Sequence, residues 1–349
     1  MHFTHDWLPV RVRFATGGAA EAVAEEVRRL GATRVMAIAS DATRAEPVLA
    51  GIPVEVLHTD VVMHVPLANA ERARAVAADH DADALVAVGG GSTTGLAKAV
   101  VLTTGLPIVA VPTTYAGSEA TDVWGLTDAG RKQTGVDRRV LPRAVVYDAS
   151  LTLGLPVPTS VASGLNALAH CVDSMWAPRS DPIDRTLALE GIRTLSAGLP
   201  QVVEDPMGLA GREQTLYGAY LAAVAFASAG SGLHHKICHV LGGMFDLPHA
   251  ETHAVVLPYV LALNAPAVPD LDRRMAAALG ADSALAGLLA LRDELGAPTA
   301  LRDLGLSASD VPEAVQPILD AAPPNNPTPV TPTNVEALLR AAWEGTEPR

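Results

Sequence analysis

The sequence predicts an α/β domain with a mostly parallel sheet over residues 1–155 and an all-α domain over residues 156–349. Three observations predict it. Short apolar runs alternate with segments of helical spacing as far as Asp148. One of those runs passes straight into three consecutive glycines, Gly89-Gly90-Gly91. After Leu155-Pro156 the pattern is helical only, and five of the 11 histidines fall between Gly232 and Pro258.

In the first half, Val10 to Phe14 alternates apolar and basic residues, as a half-exposed strand does, and Gly17-Gly18 ends it. Val23, Val27 and Leu30 recur at helical spacing, and Gly31 closes that helix. Val35 to Ala39 is a short apolar run suited to a buried parallel strand, stopping at Ser40-Asp41. An acidic side chain there can bind a ribose hydroxyl and repel a 2′-phosphate, or it can cap the next helix; both roles stay open for Asp41. Val54 to Leu57 is the next strand, and Ala68 to His80 a helix.

Ala84 to Val88 is another buried strand, leading into Gly89, Gly90, Gly91 and Ser92. Three glycines remove every Cβ at the turn, so phosphate oxygens can approach the N–H groups at a helix N-terminus, where the dipole favours negative charge. The pattern is neither G-x-G-x-x-G nor a P-loop. Leu106 to Val111 is a further strand, followed by the hydroxyl-rich Pro112-Thr113-Thr114-Tyr115-Ala116-Gly117-Ser118-Glu119. That loop is placed to hold ribose or amide groups of the same ligand, or it is an ordinary capped turn. Ala144 to Tyr147 closes this half as a strand.

In the second half, Ala162 to His170 puts Asn166 and His170 one turn apart on one face. Ile183 to Leu199 reads as a helix stopped by Pro200, and Leu209 to Ala229 as a central helix, apolar nearly all round. Met275 to Leu295 and Val311 to Ala321 are outer helices, and Pro323 to Pro332 is a surface connection. Thr333 to Trp343 makes the last helix, with Thr333 as N-cap and Glu336 completing a capping box. The cleft between the two halves is the default place for a ligand.

Net charge is −13 with no run of Lys or Arg, which disfavours nucleic acid or an acidic membrane as partner. A local cationic pocket for a small anion remains compatible with that balance. Cys171 and Cys238 are the only cysteines, so reduced thiols in a cytoplasmic protein are expected rather than a disulfide framework. No signal peptide is read at the start, and the apolar stretch Leu216 to Ala229 is too short to span a bilayer.

The histidine stretch carries the chemistry. His235 and His239 are four apart and share a helix face; His249 and His253 repeat the spacing after Gly242-Gly243. Histidines from two helices can bind a metal, move protons or polarise a carbonyl. Lys236 adds a cation that can attract a carboxylate.

Gly89-Gly-Gly-Ser-Thr-Thr-Gly-Leu-Ala-Lys98, Pro112 to Glu119, Ser163 to Cys171 and His234-His-Lys-Ile-Cys-His239 through His253 together resemble the iron-containing alcohol dehydrogenase superfamily. Within it they are most similar to maleylacetate reductases. The resemblance covers essentially the whole chain. It implies a Rossmann-like N-terminal domain, a helical C-terminal domain of the type shared with dehydroquinate synthases, and a homodimer. It implies NADH or NADPH held by Gly90, Gly91, Ser92, Thr113, Thr114 and Ser118; Asp41, Gly89 and Lys132 complete the cofactor-binding candidates.

The superfamily's metal site resembles one Asp and three His. Here Asn166 stands at the aspartate position, while His170, His235 and His249 remain. A neutral amide is a weaker ligand, so no obligatory metal is expected, though Zn²⁺ or Fe²⁺ could still bind. Gly95 likewise stands where the broader family carries Asp.

The implied reaction reduces the enone double bond of maleylacetate, a small dicarboxylate, to 3-oxoadipate in aromatic-compound breakdown. Protonated histidine would stabilise the enolate, with His239 as first candidate proton donor and His253 as second; His170, His235, His249 and Lys236 would line the pocket. The alternatives are a metal-dependent alcohol or aldehyde reductase, a reductase of another enone, or a dehydroquinate synthase-like lyase.

Overall fold

The computed structural model describes residues 2–128 and 131–348, without the side chains of residues 131 and 132. The chain forms two compact units, Leu8–Leu155 and Pro156–Arg349, the second taking in Met1–Trp7 as well.

The α/β unit runs β1 (Arg11–Phe14), α1 (Ala19–Leu30), β2 (Val35–Ile38), α2 (Ala42–Leu49), β3 (Val54–His58), α3 (Leu67–Asp79), β4 (Ala84–Gly89), α4 (Gly91–Thr104), β5 (Ile108–Pro112), β6 (Val123–Asp128), β7 (Arg131–Val136) and β8 (Ala144–Tyr147). Six of these strands pair in parallel, in the order β1-β8-β5-β4-β2-β3. Every residue of β2, β4, β5 and β8 is buried, which is why these strands are continuous apolar runs rather than alternating ones. From the β2–β4 pair the chain leaves towards β3 on one side and β5 on the other. Such a reversal opens a crevice at the strands' carboxyl ends, where α/β sheets bind ligands. The glycine turn after β4 and Asp41 after β2 both stand at that edge.

Two elements here were not legible in the apolar pattern. Helix α2 is short and capped by Asp41, whose carboxylate accepts from the Arg44 N–H at 3.1 Å. The antiparallel β6–β7 pair is a separate two-stranded ribbon. Gly135 is required in it, because a Cβ there would lie 2.6 Å from the Trp124 ring laid across the strand.

The helical unit comprises α5 (Val157–Ser174), α6 (Pro182–Glu204), α7 (Leu209–Ala229), α8 (Leu233–Phe245), α9 (His249–Asn264), α10 (Pro269–Leu279), α11 (Ala284–Glu294), α12 (Asp310–Ala321) and α13 (Pro332–Glu344). Pro200 does not stop α6, contrary to expectation: the helix continues to Glu204. Glycines let α6 and α7 approach backbone to backbone, since a Cβ on Gly198 would sit 2.9 Å from Thr215 N and one on Gly211 3.0 Å from Val202 N. That packing outweighs the one hydrogen bond proline removes. The helix expected from Met275 to Leu295 is two, α10 and α11, broken at Gly280 with φ of 67°. The last helix is capped by Thr331, not Thr333, with Asn334 closing the box and Pro332 in the first turn. Helices α8, α9, α12 and α13 enclose one apolar cluster that includes Leu233, Ile237, Val256, Ile318 and Leu339.

Candidate active site

Helix α5 carries Asn166, His170 and Asp173 on one face, all buried. Gly232 caps α8 and donates its N–H to Asp173 Oδ2 at 2.8 Å. A Cβ at Gly232 would lie 2.3 Å from Asp173 Oδ1, so only glycine lets α8 start against that carboxylate. The same carboxylate oxygen is 2.8 Å from His235 Nδ1. With the carboxylate accepting, Nδ1 carries the proton and Nε2 presents a bare lone pair, which has no partner among the described residues.

The other rings assemble around His235. His170 stacks on it at 4.9 Å between centroids, and Phe226 of α7 covers both, at 4.7 Å from His170 and 4.3 Å from His235. His253 of α9 lies 4.7 Å from His235 and 4.5 Å from His249. His234 Nε2 and His253 Nδ1 share a 2.8 Å hydrogen bond, and Cys238 Sγ is 3.7 Å from the same His234 nitrogen. His239 stands at the rim, exposed, 6.2 Å from His235 and 6.0 Å from His249.

Burial sets the charge of this group. It pushes His170 and His234 down to about 3 and His235 and His253 well below the ordinary value, with repulsion from neighbouring imidazoles adding to it. Those four rings are neutral, so the expected cationic histidine is not available at His170, His235 or His253. Burial pushes Asp173 up to about 7, opposed by the N–H groups that converge on it. Both cysteine thiols are buried and pushed up, which makes them packing groups rather than reactive ones.

Among the described residues, the ring nitrogens of His234, His235 and His253 gather within 4.8 Å of one another. The set implied by resemblance, Asn166, His170, His235 and His249, shares only His235 with that group. Asn166 Oδ1, His170 Nδ1 and His235 Nε2 are nevertheless buried without hydrogen-bond partners among the described residues. By donor type such neutral nitrogen and oxygen atoms fit a borderline divalent ion.

The α/β unit holds the second group of expected residues. Gly90 and Gly91 face the Thr113–Ser118 loop so closely that Cβ atoms would fall 2.9 Å from Thr114 Cγ2 and 3.4 Å from Ala116 Cβ. At Gly89 a Cβ would meet Thr93 Oγ1 at 2.3 Å, and Gly89 O accepts from Thr113 N at 3.1 Å. The turn therefore opens the first N–H groups of α4 beside a second, hydroxyl-bearing loop. Ser92, Thr113, Thr114 and Ser118 are all partly exposed there. Asp41 caps α2 and lies 3.3 Å from Arg44 Nε. The side chain of Lys132 lies outside the described residues.

Asp173, Phe226 and the His234–His253 bond escaped the sequence reading. Asp173 had a signal, because three residues after His170 is the same face of an apolar helix. Phe226 had none.

A parallel nucleotide-type sheet and a histidine-centred helical unit define an oxidoreductase of the dinucleotide-using kind. Residues 9–149 match the iron-containing alcohol dehydrogenase family and residues 160–343 its C-terminal part, and the chain belongs to that family. The maleylacetate reductase of Sphingobium indicum is 44% identical to it over 100% of this chain and 99% of that protein. The crystal structure of maleylacetate reductase from Agrobacterium tumefaciens superposes with a TM-score of 0.94, at 40% identity and 100% of both chains. An iron-containing alcohol dehydrogenase from Corynebacterium glutamicum superposes with a TM-score of 0.98, at 58% identity over 100% of this chain and 98% of that one.

Proposed function

We propose that the protein reduces the carbon–carbon double bond of maleylacetate to give 3-oxoadipate, with NADH or NADPH as hydride donor. The observation that carries this is the neutral imidazole group with Asn166 in place of an anionic ligand, in a chain whose relatives include maleylacetate reductases.

Hydride adds to the alkene carbon remote from the ketone. The π pair moves to form an enolate, and a proton then returns to the carbon beside the ketone. The enolate oxygen needs donors already in place. His239 is the exposed imidazole of the group and has access to solvent protons, so it is the proton donor. His253 offers a neutral N–H to the oxygen when His234 donates to its Nδ1. His235, fixed by Asp173, can only accept at Nε2. Lys236 attracts a substrate carboxylate.

Asn166, His170, His235 and His249 would hold a divalent ion, which would polarise the substrate oxygen as a Lewis acid. We propose that turnover does not depend on it. The same reading includes a homodimer in the cytoplasm.

Cofactor oxidation with maleylacetate, run with and without chelator, tests the assignment. Activity that survives chelation is expected, and His239→Ala should lower kcat by roughly 10²–10⁴-fold with the KM for NADH unchanged. Activity lost to chelator and restored by Zn²⁺ or Fe²⁺ supports the metal-dependent reductase instead. Full kcat in His239→Ala removes the proton-donor role.

A further inference from the structure

Lys98 ends the glycine motif, and the reaction above makes no use of it. It lies on α4, two turns beyond Gly91, and its side chain is fully buried. Its ammonium is 2.6 Å from Ser118 O, 2.8 Å from Thr121 O, 2.8 Å from Val123 O and 3.1 Å from Thr121 Oγ1. An ammonium has three N–H donors, and three carbonyls meet them. A neutral amine would leave one carbonyl facing a lone pair. Glu119 and Asp122, both buried, supply negative charge nearby, and Glu119 accepts from Tyr147 OH at 2.8 Å.

Burying a cation is costly unless it is fully paired, and an apolar side chain of the same length would fill the space without that cost. What the charge adds is a fixed position for the segment it grips. That segment runs from the end of the hydroxyl loop, at Ser118, to the start of β6, at Val123. Upstream, the same loop passes the glycine turn at Thr114 and Ala116, close enough to exclude a Cβ from Gly90 and to touch one on Gly91. Thr113, Thr114 and Ser118 can present hydroxyls to a ligand on the glycine turn only while this loop is held to α4.

We propose that Lys98 is a positioning residue of the dinucleotide site, holding the 113–121 loop on the helix that binds the phosphates. This rests on the proposed dinucleotide binding at Gly89–Ser92. Lys98 does not touch the ligand: its three donors are spent on the carbonyls of Ser118 and Thr121 in the loop and of Val123 at the start of β6.

The test compares wild type, Lys98→Met and Lys98→Gln for NADH and NADPH affinity by fluorescence titration, for KM and kcat, and for thermal midpoint. Loss of the brace should raise the Kd and KM for the dinucleotide by about tenfold or more in Lys98→Met, with kcat at saturation within about threefold of wild type. Lys98→Gln keeps two donors and should fall between; it decides the matter if Lys98→Met does not fold. A lower midpoint with unchanged dinucleotide Kd in either variant reduces Lys98 to core filling and overturns the proposal. A wild-type protein with no affinity for either dinucleotide overturns the underlying binding assignment instead.

Discussion

Two buried polar groups of this molecule, around Lys98 and around His235, are built on opposite rules. Around Lys98, the ammonium's N–H donors meet three carbonyls and a hydroxyl. Around His235, six buried polar atoms have no hydrogen-bond partner among the described residues: Asn166 Oδ1, His170 Nδ1, Asp173 Oδ1, His234 Nδ1, His235 Nε2 and His253 Nε2. Folding does not leave such atoms unpaired without cost. A satisfied network holds backbone in place, whereas an unsatisfied one is completed by something that binds. Single unpartnered atoms occur elsewhere, as at His58, Asn69 and Arg292, but the group around His235 gathers six of them.

The largest effect that could break this contrast is expected at Asp173, whose Oδ2 meets both the Gly232 N–H and His235 Nδ1. Asp173→Asn keeps the volume but removes the carboxylate that fixes the His235 tautomer. We expect kcat to fall about 10- to 100-fold, as second-layer changes around functional histidines do. Steady-state turnover checks it, and an unchanged kcat would mean that the orientation of His235 is of no consequence.

Lys98 sharpens the other side through pH. Burial places its ammonium at about 7, against 10.5 for an ordinary lysine. Between those values the unfolded chain holds the extra proton, so the penalty on folding is full below the lower value and lifts as pH rises to the upper one. Urea unfolding at about pH 7 and about pH 9 should show wild type gaining on Lys98→Met by up to ~1.4 kcal/mol per pH unit. A gap independent of pH would mean that the four acceptors hold the charge at its ordinary value.

The smallest effect is expected at an exposed pair, Asp41 with Arg44. Asparagine caps a helix as well as aspartate, and exposed ion pairs are worth little, so Asp41→Asn should change stability by less than ~1 kcal/mol. If Asp41 also meets a ribose, the NADPH-to-NADH ratio of kcat/KM should rise several-fold. An unchanged ratio leaves Asp41 as a cap alone.

Much of this was legible in the chain itself. β2, β4, β5 and β8 are buried on both faces, so their sequences are unbroken apolar runs that need no tertiary information to find. The glycine turn was legible because three adjacent residues without Cβ have few other uses. The β6–β7 ribbon was not, since Thr127, Asp128, Lys132 and Gln133 give it no apolar period. The continuation of α6 through Pro200 was not, since it depends on close packing against α7, through its own Gly198 and Gly211 of that helix.

In the site, local spacing alone was enough to bring out His235, His239, His249 and His253, because helical geometry puts residues four apart on one face. Which of them is neutral, which nitrogen is bare and which ring meets solvent could be decided only by the folded structure. Those properties follow from burial and from partners such as Asp173 and Phe226, far apart in the chain and joined by packing. Periodicity records what each segment does by itself; charge and tautomer record what surrounds it.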